Sequence, residues 1–136
     1  MAERGDSYTV SLRPSHLDWG TYRYTDTRDT IPGEGYIPIP SSVARNLNLK
    51  NRNGTGGIDV LGVNIFNCVS VDGHFRGQLR AQGNQYDERY AKQFAGNKNL
   101  KALGDWFYEM GACVDDEVTV TWISDTDIEI ELIKNS

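Results

Sequence analysis

From His74 to Asn84 the chain sorts its chemistry by parity, and no other stretch restricts the fold as much. Even positions carry His74, Arg76, Gln78, Arg80, Gln82 and Asn84, while odd positions carry Phe75, Gly77, Leu79, Ala81 and Gly83. A strand points alternate side chains to opposite faces, so one face is a row of forked donors and amides and the other packs on a core. Asp72-Gly73, just before it, is a two-residue hairpin signal, and Ile58 to Val71 is rich in β-branched and apolar residues. Pairing across that turn sets Ser70 by Phe75, Cys68 by Gly77 and Phe66 by Leu79 on the core face. It sets Val69 by Arg76, Asn67 by Gln78 and Ile65 by Arg80 on the other, which leaves valine and isoleucine exposed beside the row. No carboxylate interrupts that row. Arg reads guanine bidentately and Gln or Asn reads adenine, so a row of these types, about 20 Å long at ~3.3 Å per residue, suits nucleic acid. The plain alternative is a solvated strand face.

The rest of the chain reads as mostly β. Tyr8 to Leu12 alternates and forms a first strand, ended by Arg13-Pro14. His16 has no partner at metal-ligand spacing and reads as a local polar cap. Tyr36-Ile37-Pro38-Ile39-Pro40 is an extended edge segment, because its two prolines donate no ladder hydrogen bond. It leads into a short helix capped by Ser41 or Ser42, with Val43, Ala44 and Leu47 on its buried face through Leu49. Asn51 to Gly57 is turn chemistry and reads as a mobile connection; without a Gly-Lys-Ser/Thr ending it is a poor phosphate cradle. Tyr86 to Ala95 mixes helical spacing with the look of a structured loop. Leu100, Leu103, Phe107 and Met110 form a stripe that predicts a helix over 97–110, stopped by Gly111. Val118 to Trp122 and Ile128 to Leu132 read as a hairpin with alternate residues inward. Its outer Glu129 and Glu131 would repel phosphate, so that face is expected to point away from any nucleic acid.

A length of 136 residues fits one domain, 1–136, with a single core. No apolar run reaches membrane-spanning length, and Met1 to Asp6 lacks a signal peptide's basic start and apolar middle, which places the chain in the cytoplasm and off the membrane. Cys68 and Cys113 sit in apolar surroundings without paired spacing, so buried thiols are expected rather than a disulfide, and neither a metal nor another cofactor. The net charge of -5 argues at first against a polyanionic partner, but its distribution matters more. Residues 1–101 hold 13 Lys+Arg against 10 Asp+Glu, a net of +3, and residues 102–136 hold 1 against 9, a net of -8. An acidic end is thus attached to a mildly basic body, which disfavours sequence-blind sticking to phosphate. Catalysis is not expected: only His16 and His74 offer imidazole bases, Ser41 and Ser42 lack a nucleophile-elbow context, and Asp26, Asp29 and Glu34 read as solvated loop carboxylates.

Tyr22 to Arg28, Gly33 to Pro40 with its following helix, Phe75 to Gly83, and Asn97 to Phe107 together resemble the DNA-binding pseudobarrel superfamily. That group includes plant B-three-like domains and the recognition domains of bacterial restriction endonucleases of the EcoRII and phospholipase-D types. The resemblance implies a mostly β fold with two short helices, an open seven-stranded pseudobarrel whose N-arm and C-arm clasp the major groove of double-stranded DNA. Carried onto this chain, the C-arm is Arg76 to Asn84, with Arg76, Gln78, Arg80, Gln82 and Asn84 toward bases or phosphates. The N-arm is Tyr22 to Arg28, with Arg23, Tyr24 and Arg28 gripping from the other side. It further implies a recognition module of a restriction-modification-type system, cut from or working beside a nuclease domain or subunit. Two other readings stand beside it. Ile37-Pro38 before a short helix and a Val-rich hairpin also resemble swapped-hairpin transcription regulators, which predicts an obligate dimer. A β-rich protein-interaction module would instead use Val69, Ile65, Tyr22 and Tyr24 as anchors.

Overall fold

The computed structural model describes residues 2–17, 35–83, 90–99 and 101–135. Seven strands form one sheet: β1 (Ser7–Ser11), β2 (Ile37–Pro38), β3 (Ile65–Ser70), β4 (Arg76–Gln82), β5 (Gln93–Gly96), β6 (Glu117–Trp122) and β7 (Asp127–Ile133). Their spatial order is β1-β6-β7-β3-β4-β5-β2, and the sheet curls into a nearly closed barrel. The strands that pair are antiparallel except β3 and β7, which run parallel. The open seam lies between β1 and β2, where Tyr36 N–H donates to the His16 carbonyl at 2.9 Å and ties the chain entering β2 to the chain leaving β1. Among the described residues the α-helices are a single turn, α1 (Pro14–Leu17), and two longer ones, α2 (Ser41–Leu47) and α3 (Ala102–Glu109), and Arg52–Thr55 forms one 3-10 turn. This is the mostly β, seven-stranded architecture with two short helices that was expected.

Aromatic rings fill the barrel. Phe66 on β3 meets Phe94 on β5 and Trp122 on β6 edge to face, with centroids 5.7 and 5.8 Å apart, and Tyr8 on β1 lies 6.2 Å from Trp122. Such pairs contribute roughly 0.5–1.5 kcal/mol each beyond the area they bury. Val118, Val120 and Trp122 alternate inward on β6, as do Ile128 and Ile130 on β7, so the expected hairpin is present with its expected faces.

The register across Asp72-Gly73 is also the expected one, pairing Ile65 with Arg80, Asn67 with Gln78 and Val69 with Arg76. Ile65, however, is not exposed beside the row; it is 5% accessible. The turn before it folds back, with Gly62 N–H on the Ile65 carbonyl and Val63 and Asn64 N–H on the Val60 carbonyl. Fully buried Asn64 holds that turn, accepting from Val60 N–H at 2.6 Å and donating to the Ile58 carbonyl at 3.1 Å. The apolar run from Ile58 therefore becomes strand only at Ile65.

Other local readings shift. No serine caps α2: its N-cap is Pro40, without a side-chain hydrogen bond, and it stops at Leu47, with Asn48 in the left-handed region at φ 56°. The segment read as a structured loop contains strand β5. Phe94, Ala95 and Gly96 are all buried, because α3 packs over the strand and erases its alternation. The predicted helix over 97–110 begins only at Ala102; Lys98 is left-handed at φ 62°, and Gly111, at φ 67°, stops the helix as expected. Leu100 lies outside the described residues. Cys68 is buried, and burial pushes its thiol pKa up, whereas Cys113 is exposed on a surface turn rather than buried. Both cysteines are free. His16 does serve as a local cap, its Nδ1 accepting from Arg13 N–H at 3.0 Å. No described helix is long and apolar enough to cross a membrane.

Two groups make the fold testable. Asp116 pairs with Lys134 at 2.7 Å and accepts from Asn135 and Cys113 N–H, both at 2.9 Å. The Lys134 hydrogen bond first, then the two N–H groups, hold its carboxyl pKa down at about 2. A depressed folded-state pKa gives stability that is present above the ordinary carboxylate range and lost as pH falls through the folded value. Asp116→Asn should therefore lower the urea midpoint at pH 7, and the gap to wild type should close as pH drops toward 2. In the core, Tyr8 Oη and Trp122 Nε1 are buried without a hydrogen-bond partner among the described residues. A buried unsatisfied hydroxyl costs about 1–3 kcal/mol, so Tyr8→Phe should raise the unfolding midpoint, where a hydroxyl with a partner would give a loss.

Candidate nucleic-acid interface

Strand β4 lies between β3 and β5, so its outer side chains occupy the middle of a three-strand face. Arg76 and Gln78 are exposed, while Arg80 and Gln82 are half-buried. Arg23, Tyr24 and Arg28 of the expected N-arm, and Asn84 at the end of the row, lie outside the described residues. His74 does not join the row outward, since its Nδ1 sits 3.1 Å from Glu109 on α3. The hairpin tip is anchored beside it: Asp72 accepts from Ser70 Oγ and His74 N–H, each at 2.7 Å, and from Trp106 Nε1 at 3.1 Å. Burial raises the Asp72 pKa, but these three hydrogen bonds outweigh it and hold the carboxyl below its ordinary value.

The members of the row are linked rather than independent. Arg80 donates from Nε and Nη2 to Asn97 Oδ1 at 3.2 and 2.9 Å, and from Nη2 to Asp59 Oδ2 at 3.1 Å. Asn97 Nδ2 donates to Gln78 Oε1 at 3.1 Å, Gln78 Nε2 to Asn67 Oδ1 at 3.1 Å, and Asn67 Nδ2 to Asp127 Oδ1 at 2.8 Å. A continuous polar chain thus crosses from the start of β7, over β3 and β4, to the turn after β5. Two consequences follow for charge. Arg80, only 17% exposed at its side chain, is locally compensated by Asp59. Arg76 forms no hydrogen bond or ion pair among the described residues, so its charge is not compensated there. Between Arg76 and Gln78, Gly77 adds no side chain, and a depression of about 370 Å³ opens there, bordered by Asn67, Asp127 and Ile123.

Parity identified the row but not its supports. Asn97 was read as the start of a helix; it instead leads a tight turn. A Cβ on Gly96 would stand 2.0 Å from the Asn99 carbonyl oxygen, so only glycine admits the turn that brings Asn97 over Gln78. The Asn97-Lys98-Asn99 triplet, which is turn chemistry, was the available signal. Asp59 and Asp127 had no local signal at all.

The β6–β7 hairpin was expected to turn its acidic side away from any nucleic acid. The parallel pairing of β7 with β3 places Glu129 opposite Val69 and Asp127 opposite Asn67. With strands ~4.8 Å apart, Glu129 stands two strands from Arg76, about 10 Å away on the same outer surface. The cationic and amide row is therefore bordered by acid on its β7 side.

No protein-family model matches this chain, and no curated protein sequence matches it. Its fold does match solved structures. The N-terminal domain of Helicobacter pylori LlaJI.R1 superposes with a TM-score of 0.52 at 10% identity, over 96% of this chain and 89% of that one. The Arabidopsis FUS3–DNA complex superposes with a TM-score of 0.52 at 13% identity, over 95% and 97%. The likeness is one of fold, the seven-stranded pseudobarrel architecture that the resemblance implied.

The linkage separates two arginines that parity makes alike. Replacing Arg80 removes hydrogen bonds between charged and polar groups that are worth roughly 1.5–3 kcal/mol, whereas an unpartnered surface change stays within about 0.5 kcal/mol. Urea unfolding should therefore show Arg80→Leu clearly destabilised and Arg76→Ala close to wild type; equal midpoints would mean that the chain does not form.

Proposed function

We propose that this protein reads the sequence of double-stranded DNA through its major groove and has no catalysis of its own. The observation that carries the reading is the outer face of β4: an exposed Arg76, without a charge partner among the described residues, next to an exposed amide, Gln78, on a strand without carboxylates. The pseudobarrel fold, shared with a domain solved in complex with DNA, supports it. Arg76 and Gln78 lie on the part of β4 between the Asp72-Gly73 turn and the residues that pair with β5, an outer face whose side chains are offered to base edges in the major groove, about 12 Å wide. Phosphate contacts position a protein on the duplex and base contacts specify the site. Arg76 takes the first role together with Arg23, Tyr24 and Arg28 of the N-arm; Gln78, Gln82 and Asn84 take the second. Arg80, tied to Asn97 and Asp59, acts mainly by holding its neighbours. The acidic border on β7 repels a duplex that approaches out of register, which limits sequence-blind adhesion. The resemblance to endonuclease recognition domains supports a place in a restriction-modification-type system, with cleavage supplied by a separate nuclease domain or subunit.

Selection from a randomised duplex library at near-physiological salt tests this reading, with an enriched motif as the expected outcome. No retention, or retention without a motif, would overturn it. Each phosphate neutralised contributes about -0.9 to the slope of log K against log salt, so Arg76→Ala should weaken binding to all duplexes and flatten that slope by about 1. Binding that hardly responds to salt would favour a protein-interaction surface instead.

A further inference from the structure

The polar chain on the sheet has a direction. Its hydrogen bonds run one way, from Arg80 to Asn97, to Gln78, to Asn67 and to Asp127. A guanidinium only donates and an ionised carboxylate only accepts, so the two ends fix the sense of the three amides between them. Turning over any one amide would set oxygen against oxygen or NH2 against NH2 at its links. Amide orientation follows from the hydrogen-bond network, and here the network admits one choice: Gln78 keeps its NH2 on the β3 side and its oxygen on the β5 side.

Each polar atom of Gln78 retains capacity after serving the chain. Oε1 has a second lone pair and Nε2 a second hydrogen, on an exposed side chain. An acceptor beside a donor matches adenine in the major groove, whose N6 amino group donates and whose N7 accepts; guanine offers two acceptors, O6 and N7. A free glutamine can turn its amide to suit several base edges. A locked one cannot.

We propose that this relay locks the Gln78 amide and makes Gln78 an adenine-reading residue, with Asn67, Asn97 and Asp127 as positioning residues. The proposal rests on the DNA-reading function above and names one base contact within it. Asp127, which belongs to the acidic hairpin and touches no base in this scheme, sets specificity through Asn67.

The test compares motifs selected from the randomised duplex library by wild type, Gln78→Ala, Asp127→Ala, Asp127→Asn and Asn67→Ala, each first checked for folding by thermal unfolding. Wild type should select a motif with an adenine that Gln78→Ala no longer distinguishes, while the other positions persist; a bidentate base contact corresponds to about 5- to 150-fold discrimination. Asp127→Ala should relax the same position. Asp127→Asn removes the same charge but keeps an oxygen that can accept from Asn67, so it should preserve the adenine. If Asp127→Ala does not fold, Asn67→Ala interrupts the relay one link nearer to Gln78 and should relax that position instead. In the free protein, the paired Gln78 side-chain NH2 resonances should be well separated in wild type and converge in either relay-breaking variant. Failure of wild type to select any motif would end the DNA reading itself. A wild-type motif that Gln78→Ala leaves unchanged would overturn only the adenine assignment, and an Asp127→Ala motif identical to wild type would overturn the relay.

Discussion

Two antiparallel hairpins, β3–β4 and β6–β7, are joined edge to edge by the parallel pairing of β3 with β7, and the rest of the structure depends on that seam. Side chains alternate along a strand, so a slip of one residue would move every inward group of a hairpin to the outer face. The seam is fixed from inside by Cys68 and Phe66 of β3 packing with Ile128 and Ile130 of β7 in one buried cluster. On the outside it is fixed by the Asn67 to Asp127 hydrogen bond. With that register set, Trp122 reaches Phe66 and Phe94, the barrel fills, and an acidic row comes to border a basic one.

That juxtaposition changes how the charge of the chain is understood. The -8 of residues 102–136 is not all carried on a remote surface; Asp127 and Glu129 stand within a few strands of Arg76. For a protein that binds polyanions without regard to sequence this would be a defect. For one that discriminates, a mixed border penalises a misplaced duplex more than a matched one, and specificity is a difference of affinities. Asp59 acts similarly at the other end by compensating Arg80, so much of the row's positive charge is spent on geometry rather than on phosphate attraction.

How much of this was legible in the sequence depends on the range of the interaction. The β3–β4 register was readable because its determinants, parity and Asp72-Gly73, lie within twenty residues of one another. The β6–β7 hairpin was readable for the same reason. Strand β5 was not, because α3 buries its second face and leaves Phe94-Ala95-Gly96 without alternation. Ile65 looked exposed by parity because nothing local says that the Val60–Asn64 turn folds over it. The position of β7 was the largest omission: a parallel contact across some sixty residues leaves no periodic trace in either segment, so the acid beside the candidate site could not be foreseen. In the site, the residues with a visible pattern were the ones that point outward, and the ones that hold them, Asn97, Asp59 and Asp127, come from three separate turns or strand ends.

A side chain loses less on binding a partner when its rotamer is already chosen, and the fold goes to some length to choose one for Gln78. Lys98 takes a left-handed φ of 62°, which is unfavourable for a side-chain-bearing residue, and Gly96 gives up a side chain, so that the turn can set Asn97 over the strand. Asn97 N–H also donates to the Gln78 carbonyl at 2.9 Å, so main chain and side chain are fixed by the same residue. The same turn serves the core, since the bare Gly96 lets Ala102 at the start of α3 close over β5, and its polar side converges on the residue at the centre of the exposed face.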